Sequence, residues 1–359
     1  MEEWTKRLRM FSDRGLYEGG IGIQEASRIT GMNTEDMIPL QSNENLFVER
    51  EFISGLLKRA IDKVDPRLYP HGDTDYLKES IGRYLGLNAS SVFLGAGTDQ
   101  IIDLLTLVFK KNGGVGIVEP TFSMYKVRST LNRVRAVSFP YHEDFSLPVE
   151  MILKGGTDML FLCSPNNPTG NSIGEEELKR LLDSFPGLLV IDETYAEISN
   201  ESLIKYLKRY DNLAIMRTFS KSFALAGMRI GYITGPPDLI KALNSVQLTF
   251  PISSLSLALA AEALEHLDYF KDKWNQALET MSWFLGELDE GIKRTPTDTF
   301  FLTISTQTST EKLFIELLKN GYITRKLNPF MKFKNPLRFS MAPRPLIDSL
   351  PSLINKKRV

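Results

Sequence analysis

The chain has 359 residues, 42% hydrophobic and 24% charged, a length and mix suited to about two soluble domains with ample buried core. Its formal net charge of -1 provides no basic field for nucleic acid or anionic membrane, so neither is an expected partner. The single cysteine, Cys163, excludes an intrachain disulfide framework or a cysteine-based zinc cluster, and His71, His142 and His266 are too scattered to be metal ligands. Residues 1–15 are charged and lack the apolar stretch of a secretion signal, and no run approaches a membrane span; a cytoplasmic location is expected.

In chain order, residues 1–40 are expected to form an arm that joins the smaller domain or lies across the site. A large domain is expected over 41–243 and a small one over 244–359. Residues 99–111 carry apolar side chains at helical spacing and end in lysines, which suit a helix C-terminus. The short apolar runs 115–118, 159–163, 188–192, 213–217 and 230–234 are separated by helical segments, which predicts a mostly parallel sheet covered on both faces. Beyond Pro251 the pattern becomes a long helical stretch over 253–291, broken near Leu267. Strands near 299–304, 322–327 and 337–341 follow, with a helix over 311–320.

Polar residues of unusual kind follow four of these five strands: Glu119-Pro120-Thr121-Phe122, Ser164 to Gly170 (SPNNPTG), Asp192-Glu193-Thr194-Tyr195, and Thr218-Phe219-Ser220-Lys221. In a parallel sheet all four gather at the carboxyl edge, where ligands bind. Lys221 lies among small hydroxyls, with Arg229 eight positions on, a grouping suited to an amine nucleophile beside a bound phosphate. Pyridoxal phosphate carries the aldehyde and the phosphate such a site needs. Asp192 suits its pyridine nitrogen, though alone it suits a turn or helix cap equally. Asn167 and Tyr195 suit the phenolic oxygen, and Phe122 suits the ring face. Gly97 and Thr98, opening a helix, suit the phosphate. With Gln100 in place of a third glycine, residues 95–100 miss the dinucleotide fingerprint.

These motifs, with Asn43-Glu44-Asn45 and Leu337-Arg338, resemble the fold-type-I pyridoxal-phosphate enzymes of the class I/II aminotransferase group, and within it the histidinol-phosphate aminotransferases. The resemblance implies an α/β fold: a large domain with a mostly parallel seven-stranded sheet flanked by helices, and a smaller α+β domain built from both chain ends. It implies a homodimer with sites at the interface. Lys221 corresponds to the Schiff-base lysine and Asp192 to the partner of the pyridinium. Asn167 and Tyr195 correspond to the ligands of the phenolic oxygen and Phe122 to the stacking aromatic. Gly97, Thr98, Thr218, Ser220 and Arg229 match the phosphate site, and Tyr69 the tyrosine that reaches the neighbouring subunit's phosphate. Arg338 and Arg325 match arginines on the substrate's anion, with Asn43 and Asn45 beside it. Substrates implied are a phosphorylated amine and 2-oxoglutarate.

The chain departs from that pattern at Leu46, where proline is usual, at Phe122, where tyrosine is commoner, and at Gln100, where glutamate is commoner. The segment Glu18-Gly19-Gly20 to Gly31 is similar to the opening of L-threonine O-3-phosphate decarboxylases, but lacks their histidine. That decarboxylase, or a broad aromatic or aspartate-type aminotransferase, is the alternative reading. A non-catalytic cofactor-binding regulator would need a nucleic-acid-binding module, for which the chain has no spare length.

Overall fold

Seven short apolar runs build the central sheet: Val92–Gly95 (β1), Val115–Glu119 (β2), Ala136–Pro140 (β3), Met159–Cys163 (β4), Leu188–Asp192 (β5), Leu213–Thr218 (β6) and Gly231–Thr234 (β7). The computed structural model describes residues 5, 19–109, 113–199, 202–306 and 309–356. The strand order is β1-β7-β6-β5-β4-β2-β3, with β7 antiparallel to both neighbours and every other pairing parallel. Every residue of β4, β5 and β6 is buried, as expected where helices cover both faces.

Two of the strands, β1 and β3, were not among the expected apolar runs, and β7 is the one antiparallel strand of the expected mostly parallel sheet. β1 is apolar and fully buried but only four residues long, and in β3 only Phe139 is buried, with Ser138 and Pro140 exposed, so β3 does not read as an apolar core run. The helix expected over 99–111 spans Gly97–Val108; Lys110 and Lys111 lie outside the described residues. Gln100 Oε1 accepts from the Ala96 backbone N–H at 2.8 Å, a reach-back of the capping-box kind that defines this helix start.

The long helical stretch after Pro251 is two helices, Ser254–Leu264 and Leu267–Glu287, separated at Glu265-His266. A four-stranded antiparallel sheet follows, in the order Arg325–Lys326, Pro336–Ser340, Phe301–Ser305 and Lys293–Arg294. Near the other chain end, Ile38–Pro39 pairs in parallel with Tyr322–Ile323. The helix Pro237–Val246 packs Leu239, Ile240 and Leu243 into the cluster beneath the large sheet. The expected domain boundary at 243 therefore falls inside an element that belongs with the large sheet.

Candidate active site

Four segments meet where β2, β4, β5 and β6 end, around a cavity of about 300 Å³. Phe122 comes from the segment after β2, Cys163 and Asn167 from the end of β4, Asp192, Thr194 and Tyr195 from the end of β5, and Thr218, Ser220 and Lys221 from the end of β6. Thr98 and Asp99 enter from the first turn of Gly97–Val108, with Arg229, Ser42 and Arg338 completing the wall. A parallel sheet brings these distant residues to one edge because the crossovers return each strand in the same direction.

The lysine turn is held by its own backbone and small hydroxyls. Thr218 Oγ1 donates to the Ile230 carbonyl at 3.0 Å and accepts from the Ser220 N–H at 3.1 Å. Phe219 and Phe223 beneath it are fully buried, their ring centroids 4.9 Å apart. Lys221 Nζ donates to the Ser42 carbonyl at 2.6 Å. Asn43, next to that carbonyl, has a left-handed backbone (φ 53°) and donates its amide to the Tyr195 hydroxyl at 3.1 Å. Burial pushes the Lys221 ammonium down to about pKa 8, and the positive charge of Arg338 adds to this. Arg229, from which the sequence suggested that effect, contributes less than Arg338; its side chain is half exposed and already paired with Asp99 at 3.0 Å.

At the opposite wall, Asp192 is buried. Its Oδ2 accepts from the Tyr125 hydroxyl at 2.7 Å, and its Oδ1 from the backbone N–H and hydroxyl of Thr194. Burial raises its pKa, and these donors oppose the rise. Gly97 (φ 76°) lies against Arg229: a Cβ there would stand 2.7 Å from the guanidinium. The left-handed backbone at residue 97 is what calls for glycine, since other residues rarely adopt it.

A second, larger cavity of about 1050 Å³ adjoins the first, sharing Phe122, Asn167 and Arg338 with it. Arg338 is buried and donates to Asn167 Oδ1 and to the Gln41 carbonyl, each at 2.5 Å. Arg325 lines the outer cavity only, directly across the strand pair from Arg338. Asn45 lines neither cavity. Its amide donates to the Ser222 carbonyl at 3.0 Å and its oxygen accepts from the Phe47 N–H, so it braces the lysine turn from outside. Tyr69 lies on the surface, 70% exposed, stacked on Phe250 at 4.8 Å. Glu18 lies outside the described residues.

The family model described as Aminotransferase class I and II matches residues 35–348. The chain belongs to the class I and II aminotransferase family. It is 32% identical over 326 residues to a histidinol-phosphate aminotransferase of Methanocaldococcus jannaschii, covering 88% of this chain and 87% of that one. Among solved structures it resembles the histidinol-phosphate aminotransferase of Sinorhizobium meliloti in complex with pyridoxal 5′-phosphate, with a TM-score of 0.83, 21% identity and 97% of each chain covered. It also resembles the L-threonine-O-3-phosphate decarboxylase of Porphyromonas gingivalis, with a TM-score of 0.80, 19% identity, and 89% and 99% of the two chains covered. At these identities the two structures establish the fold.

Several residues of this aminotransferase site were not singled out from the sequence. Ser42 acts through its carbonyl, for which side-chain identity gives no signal. Tyr125 follows Phe122 by three positions and could have been read as its helical neighbour, but its bond to Asp192 spans 67 residues. Arg217, behind the site and lining neither cavity, did carry a signal: it is a charge that follows the apolar residues 213–216 within a buried strand. A buried arginine there demands a carboxylate, and Glu193 and Glu197 supply it.

Proposed function

We propose that this aminotransferase uses pyridoxal 5′-phosphate to move the amino group of L-histidinol phosphate to 2-oxoglutarate, giving imidazole acetol phosphate and L-glutamate. The donor set of the inner cavity fits the cofactor. A carboxylate and an amine stand on separate walls, and the guanidinium of Arg229 joins three small hydroxyls at a helix start. Asn43, expected beside the substrate, is fully buried and lines neither cavity; it acts through its bond to the Tyr195 hydroxyl. The cavity volume is at the lower end of the usual ligand range.

Gly97, Thr98, Thr218, Ser220 and Arg229 would hold the phosphate, Asn167 and Tyr195 the phenolic oxygen, Phe122 the ring face and Asp192 the ring nitrogen. Pyridoxal phosphate, when bound, supplies an aldehyde for amines and a protonated ring that accepts the electrons released at the substrate carbon. Lys221 Nζ, a neutral base above about pH 8, would take the proton from the substrate's amine-bearing carbon and, as its ammonium, deliver it to the carbon that the cofactor's aldehyde supplies. The Ser42 carbonyl keeps that nitrogen within the cavity. Burial around Tyr195 raises its pKa, so it presents a neutral hydroxyl.

The choice of substrate rests on the register that sets Arg325 opposite Arg338. Like charges directly across a strand pair repel, and a dianionic phosphate beside them relieves that repulsion better than one carboxylate. Histidinol phosphate offers a phosphate and no α-carboxylate. The test is to add L-histidinol phosphate, aromatic amino acids, aspartate or threonine phosphate singly and follow the visible spectrum of the bound cofactor. Conversion to the amine form with histidinol phosphate is expected. No response to it would overturn the substrate, and CO2 released from threonine phosphate would identify a decarboxylase instead.

A homodimer completes this reading. Tyr69, Leu68, Leu248 and Phe250 are exposed apolar side chains, and Tyr69 stacks on Phe250. Such a patch suits a second copy of the chain, with Tyr69 reaching its cofactor phosphate. Among the described residues no helix is long and apolar enough to cross a membrane, and a cytoplasmic location accords with the reading.

A further inference from the structure

Next to the catalytic wall lies a buried charged cluster that neither cavity uses. Arg217, Glu193 and Glu197 are each almost fully buried. Arg217 Nε and Nη2 donate to Glu193 Oε2 at 2.9 and 2.7 Å, and Nη1 donates to Glu197 Oε1 at 3.2 Å. Glu197 uses its other oxygen, Oε2, to accept from the Ser222 hydroxyl at 2.9 Å. Ser222 follows Lys221 directly, and its carbonyl accepts from Asn45 at 3.0 Å and from the Trp274 indole N–H at 2.7 Å.

One short segment thus serves two sides. Asp192 and Tyr195 line the cavity, while Glu193 and Glu197 hold Arg217 away from it. Arg217 in turn precedes Thr218, so the cluster ties the segment after β5 to both flanks of the lysine turn. Buried ion pairs are poor sources of net stability, because desolvation offsets the attraction, but their fixed geometry can specify one arrangement.

We propose that Glu197, oriented by Arg217, is a positioning residue that acts through Ser222 to set where the Lys221 amine stands relative to Asp192. The inference rests on the cofactor assignment above. A pyridoxal ring is rigid, with its aldehyde and ring nitrogen on opposite sides. A carboxylate and an amine that serve both ends must be kept at one separation. The two come from neighbouring strands, β5 and β6, which pair as far as Asp192 and Met216, with the Glu193 N–H donating to the Met216 carbonyl at 2.8 Å. The lysine turn runs on beyond that pairing, and the Glu197–Ser222 bond ties its far flank to the segment after β5.

Pyridoxamine 5′-phosphate separates this role from a general loss of structure. It has the ring and phosphate of the cofactor but no aldehyde, so its binding does not need the Lys221 amine in place. Holoenzyme is stripped of cofactor, and the affinities for pyridoxal phosphate and pyridoxamine phosphate are measured for the parent chain, Ser222→Ala, Ser222→Thr and Glu197→Gln. Ser222→Ala and Glu197→Gln are expected to weaken pyridoxal phosphate binding about tenfold, the size of one buried hydrogen bond to a charged group. Pyridoxamine phosphate binding should be unchanged, and Ser222→Thr, which keeps the hydroxyl, should restore the parent value. Parallel losses for both ligands, or unchanged pyridoxal phosphate affinity, overturn the proposal. The Ser222 pair decides the matter by itself if Glu197→Gln does not fold. A parent chain that binds neither ligand overturns the cofactor assignment as well.

Discussion

Lys221 loses its proton near pH 8, against 10.5 for an ordinary lysine, because burial and the Arg338 guanidinium disfavour the ammonium. At pH 8 about half of it is a neutral amine, whereas an ordinary lysine would be under ~1% neutral. The rate at which cofactor-free protein captures pyridoxal phosphate should therefore climb through pH 8 and level off above it, as read by stopped-flow absorbance. A midpoint near 10 would show that the site does not depress the amine. The linkage has a definite sign. The unfolded chain keeps this proton up to about 10.5 and the folded chain releases it near 8, so the group's cost to folding is present below 8 and fades as pH rises between those values. Lys221→Ala should abolish turnover while leaving a non-covalent cofactor complex, detectable by its absorbance after gel filtration; full activity would contradict the assigned role. The site residues were legible where chemistry depends on side-chain type, as with Lys221, Asp192 and Asn167. It was not legible where a residue acts through its backbone, as Ser42 does, or as a brace, as Asn45 does.

Among the elements, the helix Gly97–Val108 shows what a departure from family pattern does. Gln100 replaces a commoner glutamate yet still reaches back to the Ala96 N–H. The amide keeps the hydrogen bond but not the negative charge, which leaves the helix start more attractive to a phosphate. Gln100→Glu should thus weaken cofactor binding while holding thermal stability. Gln100→Ala should cost about 1 kcal/mol of stability in a denaturant titration. The elements themselves were most legible where a buried apolar run of five or more residues stands between helices. The continuous apolar runs of β4, β5 and β6 were read directly. β1 and β3 were not, and the strand expected over 322–327 is two two-residue strands in different sheets, Tyr322–Ile323 beside Ile38–Pro39 and Arg325–Lys326 beside Pro336–Ser340, since tertiary partners and not local pattern place them.

On the scale of the whole molecule, the exposed stack of Tyr69 on Phe250 predicts a dimer. Sedimentation should give twice the chain mass, and Phe250→Asp should shift the protein toward monomer with weaker cofactor binding, since Tyr69 would no longer reach the neighbouring site. A monomer of unchanged cofactor affinity would sever that link.

Among the described residues, the amino-terminal segment meets the substrate side near Gly20 and Ile21, whose carbonyl accepts from Gln41 Nε2 at 3.3 Å. Gly20 has φ 76°, and a Cβ there would stand 2.7 Å from the Arg325 guanidinium. A shift of the chain at residue 20 changes the room left to Arg325, one of several cations that line the outer cavity. Coupling of this kind is reciprocal: an anion drawn to Arg325 must alter the free energy of the docked segment by the same amount that the segment alters the anion's. The contact makes a stretch of chain remote from the chemistry a tuner of substrate affinity. Natural or designed changes around Gly20 should thus appear as changed KM for the phosphorylated amine at constant kcat.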